Sequence, residues 1–329
     1  MTATMSAWVQ DGYGPASGVR LAERAVPEPG QGEVLLRVHA TALNSGDVRI
    51  MRGDPLLVRP VFGLRRPRNP VRGMDVAGTV VARGSDVDIV RVGDDVVVEL
   101  PGGGGLAEYA VAPAARLAAR PPSVSTSDAA TLPIAAGTAW QALVAAEVGD
   151  GQRVLVLGAS GGVGTFAVQL AGLRGADVHA TCSARNRVSL EALGATVVDR
   201  EAPLTALPAG GYDAVIVIEI ASGAPLRGLR RLVRDGGSVV LVGGDGGRVL
   251  GPVPRMLRGA LLSIGARRRI RSLTAKTRPE ILTALLDLVA AGRLHPLIER
   301  EYAFADAGDA LAHVEAGHTV GKVVVRVSE

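Results

Sequence analysis

Apolar and polar positions alternate over much of the first third of the chain, between residues 5 and 118. Such alternation, interrupted by Gly and Pro turns, is typical of β-strands that bury one face of a sheet. We therefore expect a mostly antiparallel β domain in this part of the chain. Its clearest strands are 33–39, 78–82, 95–100 and 107–111.

A different pattern begins near residue 129, after a Pro- and Ser-rich segment at 120–127. Short apolar runs alternate with amphipathic stretches up to about residue 250. This predicts strands alternating with helices, and hence a doubly wound parallel sheet. The predicted elements are 154–157, 165–174, 177–181, 187–193, 196–199, 214–218, 225–233 and 238–242.

The last part of the chain contains an Arg-rich stretch, a predicted helix at 279–291 and a predicted strand at 321–327. We expect this strand to return to the first domain. The predicted fold class is therefore α/β, with a mostly antiparallel β domain and a doubly wound parallel domain. The predicted boundaries are 1–122 for the first segment of the β domain, 123–258 for the parallel domain and 259–329 for the returning segment.

A glycine-rich turn follows the apolar strand predicted at 154–157. Gly158, Gly161, Gly162 and Gly164 lack the Cβ atoms that would keep a pyrophosphate away from backbone N–H groups. The amphipathic stretch after the turn would add the positive end of a helix dipole. Strand, turn and helix together predict a dinucleotide site, with a tight structural turn as the alternative.

The end of the second strand of this domain distinguishes the possible cofactors. An NAD-binding protein usually has an acidic residue there for the ribose 2′-hydroxyl, and none follows directly after the strand at 177–181. The chain has Ser183, Arg185 and Arg187 instead. Because a hydroxyl and guanidinium groups suit a 2′-phosphate, we predict NADPH rather than NADH. Alternatively, the two arginines are solvated residues that open the next helix.

The composition supports a sizeable hydrophobic core. Of 329 residues, 47% are apolar and 21% are charged, which argues against disorder and allows two domains. The single cysteine, Cys182, ends a predicted core strand and is interpreted as a small buried apolar residue. One cysteine forms no internal disulfide, so we expect a reducing, cytoplasmic location. No apolar run reaches the ~18 residues that span a bilayer, so no membrane span is expected.

The net charge of +4 raises the question of nucleic-acid binding. The arginines gather in two groups without the interleaved aromatic residues that stack on bases, so no nucleic-acid partner is expected. We interpret these groups as solvated loops, or as a positive rim that attracts an anionic cofactor. They are Arg65, Arg66, Arg68 and Arg72, and Arg267, Arg268, Arg269 and Arg271.

The order and spacing of several short segments resemble the medium-chain dehydrogenase/reductase family, and specifically its zinc-independent quinone oxidoreductase branch. The resemblance covers nearly the full length of the chain. It implies a GroES-like catalytic domain interrupted by a Rossmann domain. The segments are 38–47, 72–78, 92–96, 158–164, 182–186, 241–244 and 317–322.

Other residues occupy the positions that carry zinc ligands in zinc-dependent relatives. The resemblance places Asn44 where such relatives have a cysteine, and Met74 before Asp75 where they have a histidine before an acidic residue. A four-cysteine site is impossible with one cysteine. The five histidines show no close ligand pairing on one helix face, so no metal is expected.

The resemblance implies hydride transfer from the nicotinamide C4 to a quinone or to the β-carbon of an enone. Asn44 is then the candidate hydrogen-bond donor to the developing oxyanion, or else a turn residue. Thr138 is similar to the family's hydroxyl near the nicotinamide, or else begins a helix. Asp47 would anchor the pocket loop or belong to a turn. No residue is a clear general acid, so we expect solvent to supply the proton.

The resemblance also implies the contacts of the cofactor. Ser183 and Arg185 would bind the adenosine phosphate, and Lys322 would reach a phosphate or remain a solvated strand residue. Arg200 replaces a tyrosine that many relatives have near the adenosine. The other cofactor-binding residues would be Ser160, Gly161, Gly162 and Val163 at the pyrophosphate turn, and Gly243 and Gly244 on the nicotinamide side.

Relatives commonly dimerise through the edge of the Rossmann sheet. The resemblance therefore implies a homodimer, with residues 238–244 and 256–264 as interface elements. The small-molecule partner would be a quinone or an enone. A protein that binds NADPH without turnover, as a sensor or structural protein, is the alternative, because fold does not determine function.

Overall fold

The computed structural model describes residues 3–218, 224–242 and 248–328. The chain divides into two compact units. Unit 1 comprises Met1–Gly137 and Thr277–Glu329, and unit 2 comprises Thr138–Lys276. Unit 1 is therefore discontinuous in sequence, with unit 2 inserted between its two segments.

Unit 1 is built mainly of β-strands, numbered here along the whole chain. Its strands are β1 (Thr4–Val9), β2 (Arg20–Ala25), β3 (Glu33–Leu43), β4 (Asp75–Arg83), β5 (Asp95–Glu99), β6 (Tyr109–Pro113), β7 (Ala118–Ala119), β14 (Ile298–Ala303) and β15 (Lys322–Arg326). Its α-helices are α1 (Ser45–Arg52), α2 (Arg59–Phe62), α3 (Thr126–Ala130), α9 (Pro279–Ala290) and α10 (Ala307–Glu315).

Strand β3 organises the main sheet of unit 1. The strand order is β14-β15-β3-β4-β5-β7, and β6 also pairs with β3. These pairings are antiparallel except for β14 with β15, so the predicted mostly antiparallel domain is confirmed. Val34, Leu36 and Val38 alternate along β3 and are fully buried, as the period of a strand requires. Val323 of β15 pairs with Leu43, so the last strand does return to this sheet.

Unit 2 alternates strands with helices. Its strands are β8 (Arg153–Leu157), β9 (Asp177–Cys182), β10 (Thr196–Asp199), β11 (Tyr212–Val217), β12 (Val233–Leu241) and β13 (Arg269–Ser272). Its helices are α4 (Gly137–Ala145), which begins at the unit boundary, α5 (Gly162–Gly172), α6 (Arg187–Ala192), α7 (Leu226–Leu232) and α8 (Val253–Ser263). Among the described residues of both units, no helix has the length and apolarity needed to cross a bilayer.

The sheet of unit 2 is parallel throughout its described strands, in the order β10-β9-β8-β11-β12-β13. This is the predicted doubly wound arrangement. Central strands are apolar along nearly their whole length because helices cover both faces of such a sheet. The strand order reverses between β8 and β11. Ligands of open parallel sheets bind in the crevice that forms at the carboxyl ends of the strands at such a point.

The edge of this sheet differs from the sequence expectation. Residues 238–241 belong to β12, which pairs with β11 on one side and β13 on the other, so they are not at an edge. The two edge strands of the described sheet are β10 and β13, and β13 lies in the stretch interpreted from sequence as an Arg-rich loop. Ile270 is buried there between exposed Arg269 and Ser272, a pattern too short to predict a strand.

The unit boundaries lie further along the chain than the sequence pattern placed them. Helix α3 contacts β3 and β4, so unit 1 extends beyond residue 122 to residue 137. Helix α8 packs on β13, so unit 2 extends beyond residue 258 to residue 276.

Candidate active site

The glycine turn of unit 2 connects β8 directly to the N-terminus of α5. Gly158 adopts the left-handed conformation, with φ of 81°, immediately after the strand. A Cβ on Gly164 would lie 2.3 Å from the carbonyl oxygen of Gly158, so only glycine lets the first turn of the helix approach the strand end so closely. Gly161 is the N-cap residue, and no side chain caps the helix. The first N–H groups of α5 therefore remain available to an anion.

A cavity of about 320 Å³ lies at the carboxyl ends of β8, β9 and β10. It adjoins the glycine turn, because the N–H of Gly158 lies 3.4 Å from Oγ1 of Thr181. The position fits the adenosine half of a dinucleotide at the crevice of an open parallel sheet. The residues that line it are Leu157, Thr181, Val198, Asp199, Arg200, Ala202, Leu204, Leu207, Ala224 and Pro225.

The residues predicted to select NADPH follow β9. Ser183 precedes a single 3₁₀ turn, Ala184–Asn186, and Arg185 in that turn is exposed. Arg187 opens α6 and pairs with Glu191 at 3.4 Å, one turn along the helix. Arg187 therefore lies where the alternative interpretation placed it, as an exposed residue that opens the next helix.

Thr138 lies in the first turn of α4 and is half-buried. The preceding segment, Leu132–Ala136, is a π-helix, a departure from regular helix that is frequent at functional sites. Ser160 belongs to the turn before Gly161. Gly243 and Gly244, predicted on the nicotinamide side, lie outside the described residues.

Unit 1 contains a buried polar cluster formed by Asn44, Asp47, Asp75 and Lys322. Its two carboxylates and its ammonium are almost completely buried, and Asn44 is half-buried. The ammonium nitrogen of Lys322 lies 2.5 Å from Oδ1 of Asn44 and 3.7 Å from Oδ2 of Asp75, and it also donates to the carbonyl of Leu43. Burial of charged groups is costly unless they are paired and hydrogen-bonded, and this cluster meets both conditions.

Asn44 is the central residue of this cluster. It is the N-cap of α1, and its backbone N–H donates to the carboxylate of Asp47 at 2.9 Å. Its amide nitrogen donates to Oδ2 of Asp75 at 2.9 Å and, in a longer contact of 3.4 Å, to the carbonyl of Ala42. Both amide hydrogens thus have partners within unit 1, and the second of these bonds is the weaker.

The same network fixes the two carboxylates. The other oxygen of the Asp47 carboxylate accepts from the backbone N–H of Gly73 at 2.9 Å. The carboxylate of Asp75 accepts from the backbone N–H of Ile134 at 3.2 Å, in the π-helix. Asp47 and Asp75 therefore join the start of α1, the start of β4 and the π-helix.

Burial shifts the pKa values of the ionisable members. It raises the pKa of Asp75 to about 8, although the Lys322 ammonium and the Asn44 amide oppose this shift. Burial likewise lowers the pKa of Lys322, with Asp75 and Asp47 opposing. The pKa of Asp47 is raised by burial and held down in part by the backbone N–H of Asn44.

Two sequence interpretations are corrected here. Lys322 is not a solvated strand residue, because β15 is an interior strand whose first side chain enters the cluster. Arg72 is not part of a solvated loop, since it is 1% exposed and donates to the carbonyl of Asn69. His39 has a structural role, with its ring nitrogens next to the hydroxyls of Ser328 and Thr79.

Comparison with known families agrees with this architecture. Residues 30–122 match the model of the alcohol dehydrogenase GroES-like domain, and residues 193–325 match that of a zinc-binding dehydrogenase. A chloroplastic quinone oxidoreductase of Triphysaria versicolor is 37% identical over 337 residues, with 98% of each chain covered. The chain belongs to the medium-chain dehydrogenase/reductase family. Within the family it falls in the quinone oxidoreductase branch.

Other relatives and a solved structure extend the comparison. The NADPH-dependent alkenal/one oxidoreductase of Arabidopsis thaliana is 32% identical, covering 98% of this chain and 79% of the relative. The quinone oxidoreductase from Coxiella burnetii superposes with a TM-score of 0.86 at 30% identity, covering 99% of this chain and all of the other. The family assignment makes this chain an oxidoreductase.

One of the matched families is named for zinc, but the donors in the described part of the chain do not fit a zinc ion. Zinc sites use thiolate, imidazole or carboxylate ligands in groups of three or four. Within residues 3–218, 224–242 and 248–328, no group of three or more His, Cys, Asp or Glu side chains is placed to hold a metal. The sequence resemblance places Asn44 at a cysteine ligand position and Met74 at a histidine ligand position. Asn44 and the neighbouring Asp75 instead face the ammonium of Lys322.

The candidate residues thus fall into two sets. Unit 1 brings together Asn44 and Lys322. Unit 2 brings together the glycine turn and the cavity at the carboxyl ends of β8, β9 and β10. The sequence did not predict the contact between Asn44 and Lys322. A compositional signal existed, because Lys322 is one of two lysines in a chain that otherwise uses arginine. A lysine kept in such a chain indicates a site that needs a compact ammonium rather than a planar guanidinium.

Proposed function

We propose that this oxidoreductase transfers hydride from NADPH to a quinone or an α,β-unsaturated carbonyl compound without a metal. The proposal rests on the residues that this chain has at the positions of zinc ligands in zinc-dependent relatives. Asn44 takes the place of a cysteine and, together with Asp75, faces a buried lysine ammonium, and Met74 takes the place of a histidine. Reduction of a conjugated acceptor needs less electrophilic activation than alcohol oxidation, because the acceptor is already an electron sink.

The cofactor assignment is supported by unit 2. NADPH supplies the hydride when it is bound. The N-terminus of α5 would bind the pyrophosphate, with Ser160, Gly161, Gly162 and Val163 presenting backbone N–H groups. The cavity at the strand ends would hold the adenosine.

Discrimination between NADPH and NADH would depend on three charged residues. Arg200 lines the cavity and Arg185 lies in the turn after β9, where guanidinium groups would bind a 2′-phosphate together with the hydroxyl of Ser183. Asp199 lines the same cavity and would favour a free 2′-hydroxyl. We propose that the arginines determine the preference and that Asp199 limits it.

Asn44 is the proposed hydrogen-bond donor to the acceptor oxygen. Its hydrogen bond to the carbonyl of Ala42 is long and therefore weak. This N–H could exchange that carbonyl for a developing oxyanion as its hydrogen-bond acceptor at small energetic cost. The short bonds to Asp75 and Lys322 would keep the amide oriented meanwhile. Thr138 is the proposed hydroxyl near the nicotinamide, and solvent would supply the proton.

A homodimer is also proposed, whose interface keeps the expected element 256–264 and has strand β13 in place of residues 238–244. Strand β13 forms one edge of the described sheet and offers backbone groups for pairing. The adjacent helix α8 and the residue after it expose Leu257, Leu261 and Ile264, at 61%, 68% and 78%. These three positions share one helix face, so an apolar surface lies beside an open sheet edge.

The decisive experiment mixes the protein with NADPH and a simple para-quinone, and follows the absorbance of the reduced cofactor. We expect oxidation that a metal chelator leaves unchanged, in protein that contains no stoichiometric zinc. Tight NADPH binding without oxidation by quinones, enals or enones would instead indicate a binding protein.

The cofactor assignment is tested with matched variants. R185Q and R200Q are expected to raise the KM for NADPH about tenfold, with little change for NADH, because each removes a charge-assisted hydrogen bond. D199N should have the opposite effect on the preference. A wild-type enzyme that prefers NADH would refute this assignment.

A further inference from the structure

A second cavity of unit 2, of about 400 Å³, has a high density of positive charge. We call it the arginine cavity. Five guanidinium groups and one carboxylate line it. The lining residues are Arg227, Arg230, Arg231, Asp235, Ala266, Arg267 and Arg268.

The arginine cavity and the proposed dinucleotide site lie at opposite ends of the strands of the sheet. Arg230 and Arg231 are in the last turn of α7, which leads into the amino end of β12. Arg267 and Arg268 directly precede β13, which runs parallel to β12. The cavity is therefore at the amino ends of the strands, whereas the glycine turn is at their carboxyl ends. Arg267 and Arg268 therefore do not form a positive rim around the proposed cofactor site, which was one of the two interpretations of the arginine groups.

The positive charge in the arginine cavity is only partly balanced. Asp235 is 2.9 Å from Arg268 and 3.7 Å from Arg267, so one carboxylate serves two guanidinium groups. Among the described residues, no carboxylate is within salt-bridge distance of the other three arginines. Like charges gathered around one cavity repel each other, and an anion in the cavity would offset that repulsion.

Two of the guanidinium groups are held in fixed positions by backbone carbonyls. Arg230 donates to the carbonyl of Leu262 at 2.5 Å. Arg231 donates to the carbonyls of Leu204 and Leu207 at 2.8 and 2.9 Å. A guanidinium has five N–H donors, so each group keeps donors for a ligand while its orientation is set.

The helix dipole explains only part of this arrangement. Basic residues in the last turn of a helix are stabilised by its negative end, which accounts for Arg230 and Arg231. The dipole does not account for Arg267 and Arg268, which come from a separate segment before β13 and face the same cavity.

We propose that the arginine cavity binds a small anion with clustered phosphate groups, at a site separate from the dinucleotide. Planar guanidinium groups bind phosphate oxygens in pairs, and several arginines around one space match several phosphates. Clustered phosphate groups occur both in soluble polyphosphate esters and in phosphorylated lipid headgroups. The test distinguishes these two kinds of ligand.

The test uses the R227Q/R267Q double variant. Both residues are exposed, and neither side chain is among those that bind the backbone carbonyls around the cavity, so the variant should fold normally. The matched control is R20Q/R24Q on β2 of unit 1, which removes the same charge from exposed positions. Inorganic tripolyphosphate is titrated into each protein by calorimetry, with and without saturating NADPH.

We expect tripolyphosphate to bind the NADPH-loaded wild type and control, and to bind the double variant about a hundredfold more weakly. A second arm measures cosedimentation with phosphatidylcholine vesicles, with and without phosphatidylinositol bisphosphate. If the double variant binds tripolyphosphate more weakly than the control, the site is assigned to soluble anions. If only its binding to the phosphoinositide vesicles is weaker, the site is assigned to a lipid headgroup. Equal behaviour of double variant and control in both arms would overturn the proposal, whatever the enzyme does with quinones.

Discussion

The ammonium of Lys322 lies 2.5 Å from Oδ1 of Asn44, although 278 positions separate the two residues. This contact joins the first residue of β15 to the N-cap of α1. The same ammonium also faces the buried carboxylate of Asp75. The link is therefore both a hydrogen bond and part of a charge balance inside unit 1.

Replacing Lys322 by Met should destabilise the protein strongly. Above pH 8, where Asp75 is ionised, the variant leaves its carboxylate buried without a nearby cation, a change that costs about 3–5 kcal/mol of unfolding free energy. Urea denaturation monitored by circular dichroism measures this quantity.

The D75N/K322M double variant should recover most of that loss, because it removes both buried charges. K276M is the matched control, since Lys276 is the other lysine of the chain and is exposed. We expect K276M to change stability by no more than about 0.5 kcal/mol. If K322M behaves like K276M, the buried charge pair has no energetic importance.

Replacing Gly164 by Ala should weaken NADPH binding about tenfold or more. The new Cβ would lie 2.3 Å from the carbonyl oxygen of Gly158, so the turn must shift and its N–H groups lose their alignment. Gly172, the last residue of the same helix, has nothing within 4 Å of an added Cβ. G172A should therefore bind NADPH normally in a fluorescence titration. Equal affinities for the two variants would exclude the turn as the pyrophosphate site.

Replacing Asn44 by Ala should lower kcat for a quinone by about 10²-fold, the usual effect of removing an oxyanion donor. The dissociation constant of NADPH should stay unchanged, because Asn44 belongs to unit 1 and the proposed nucleotide site to unit 2. S45A, at the exposed neighbouring position, provides the control in steady-state kinetics. An N44A variant that keeps its kcat but unfolds more easily would restrict Asn44 to capping α1.

Glu99 should make stability depend on pH. Burial raises its pKa above the ordinary value of 4.5, with Arg116 opposing. The folded state therefore holds this proton more tightly than the unfolded state. Its contribution to stability is complete below pH 4.5 and is lost as the pH rises through the folded-state pKa.

E99Q removes this titration while keeping the size of the side chain. The stability difference between E99Q and wild type should thus grow in favour of E99Q as the pH increases, in urea titrations at several pH values. E23Q, on the exposed strand β2, should parallel the wild type. A constant difference between E99Q and wild type would contradict the assigned burial cost.

The sequence predicted best where neighbouring residues determine the structure. The strand β8, the glycine turn and α5 are contiguous, and each has a local pattern of its own, so this strand–turn–helix unit could be located from residues 153–164 and the start of the following helix. The return of β15 to the first sheet was also predictable. By contrast, β13 was missed, because an edge strand with one buried residue carries no periodic signal.

The buried polar cluster could not be predicted in the same way. Asn44 and Lys322 each allowed two interpretations, and the choice between them depends on a pairing between distant strands. Spacing along the chain contains no information about that pairing. The unequal use of lysine and arginine was the available clue, and it indicates a special position without naming its partner.

The interior position of β15 affects the order in which the protein can mature during translation. All of unit 2 is synthesised before Lys322, and so is most of unit 1. Until then, Asp75 lacks its counterion and β3 lacks a neighbouring strand. The nascent chain can therefore complete unit 2 first, whereas unit 1 must wait for the final segment.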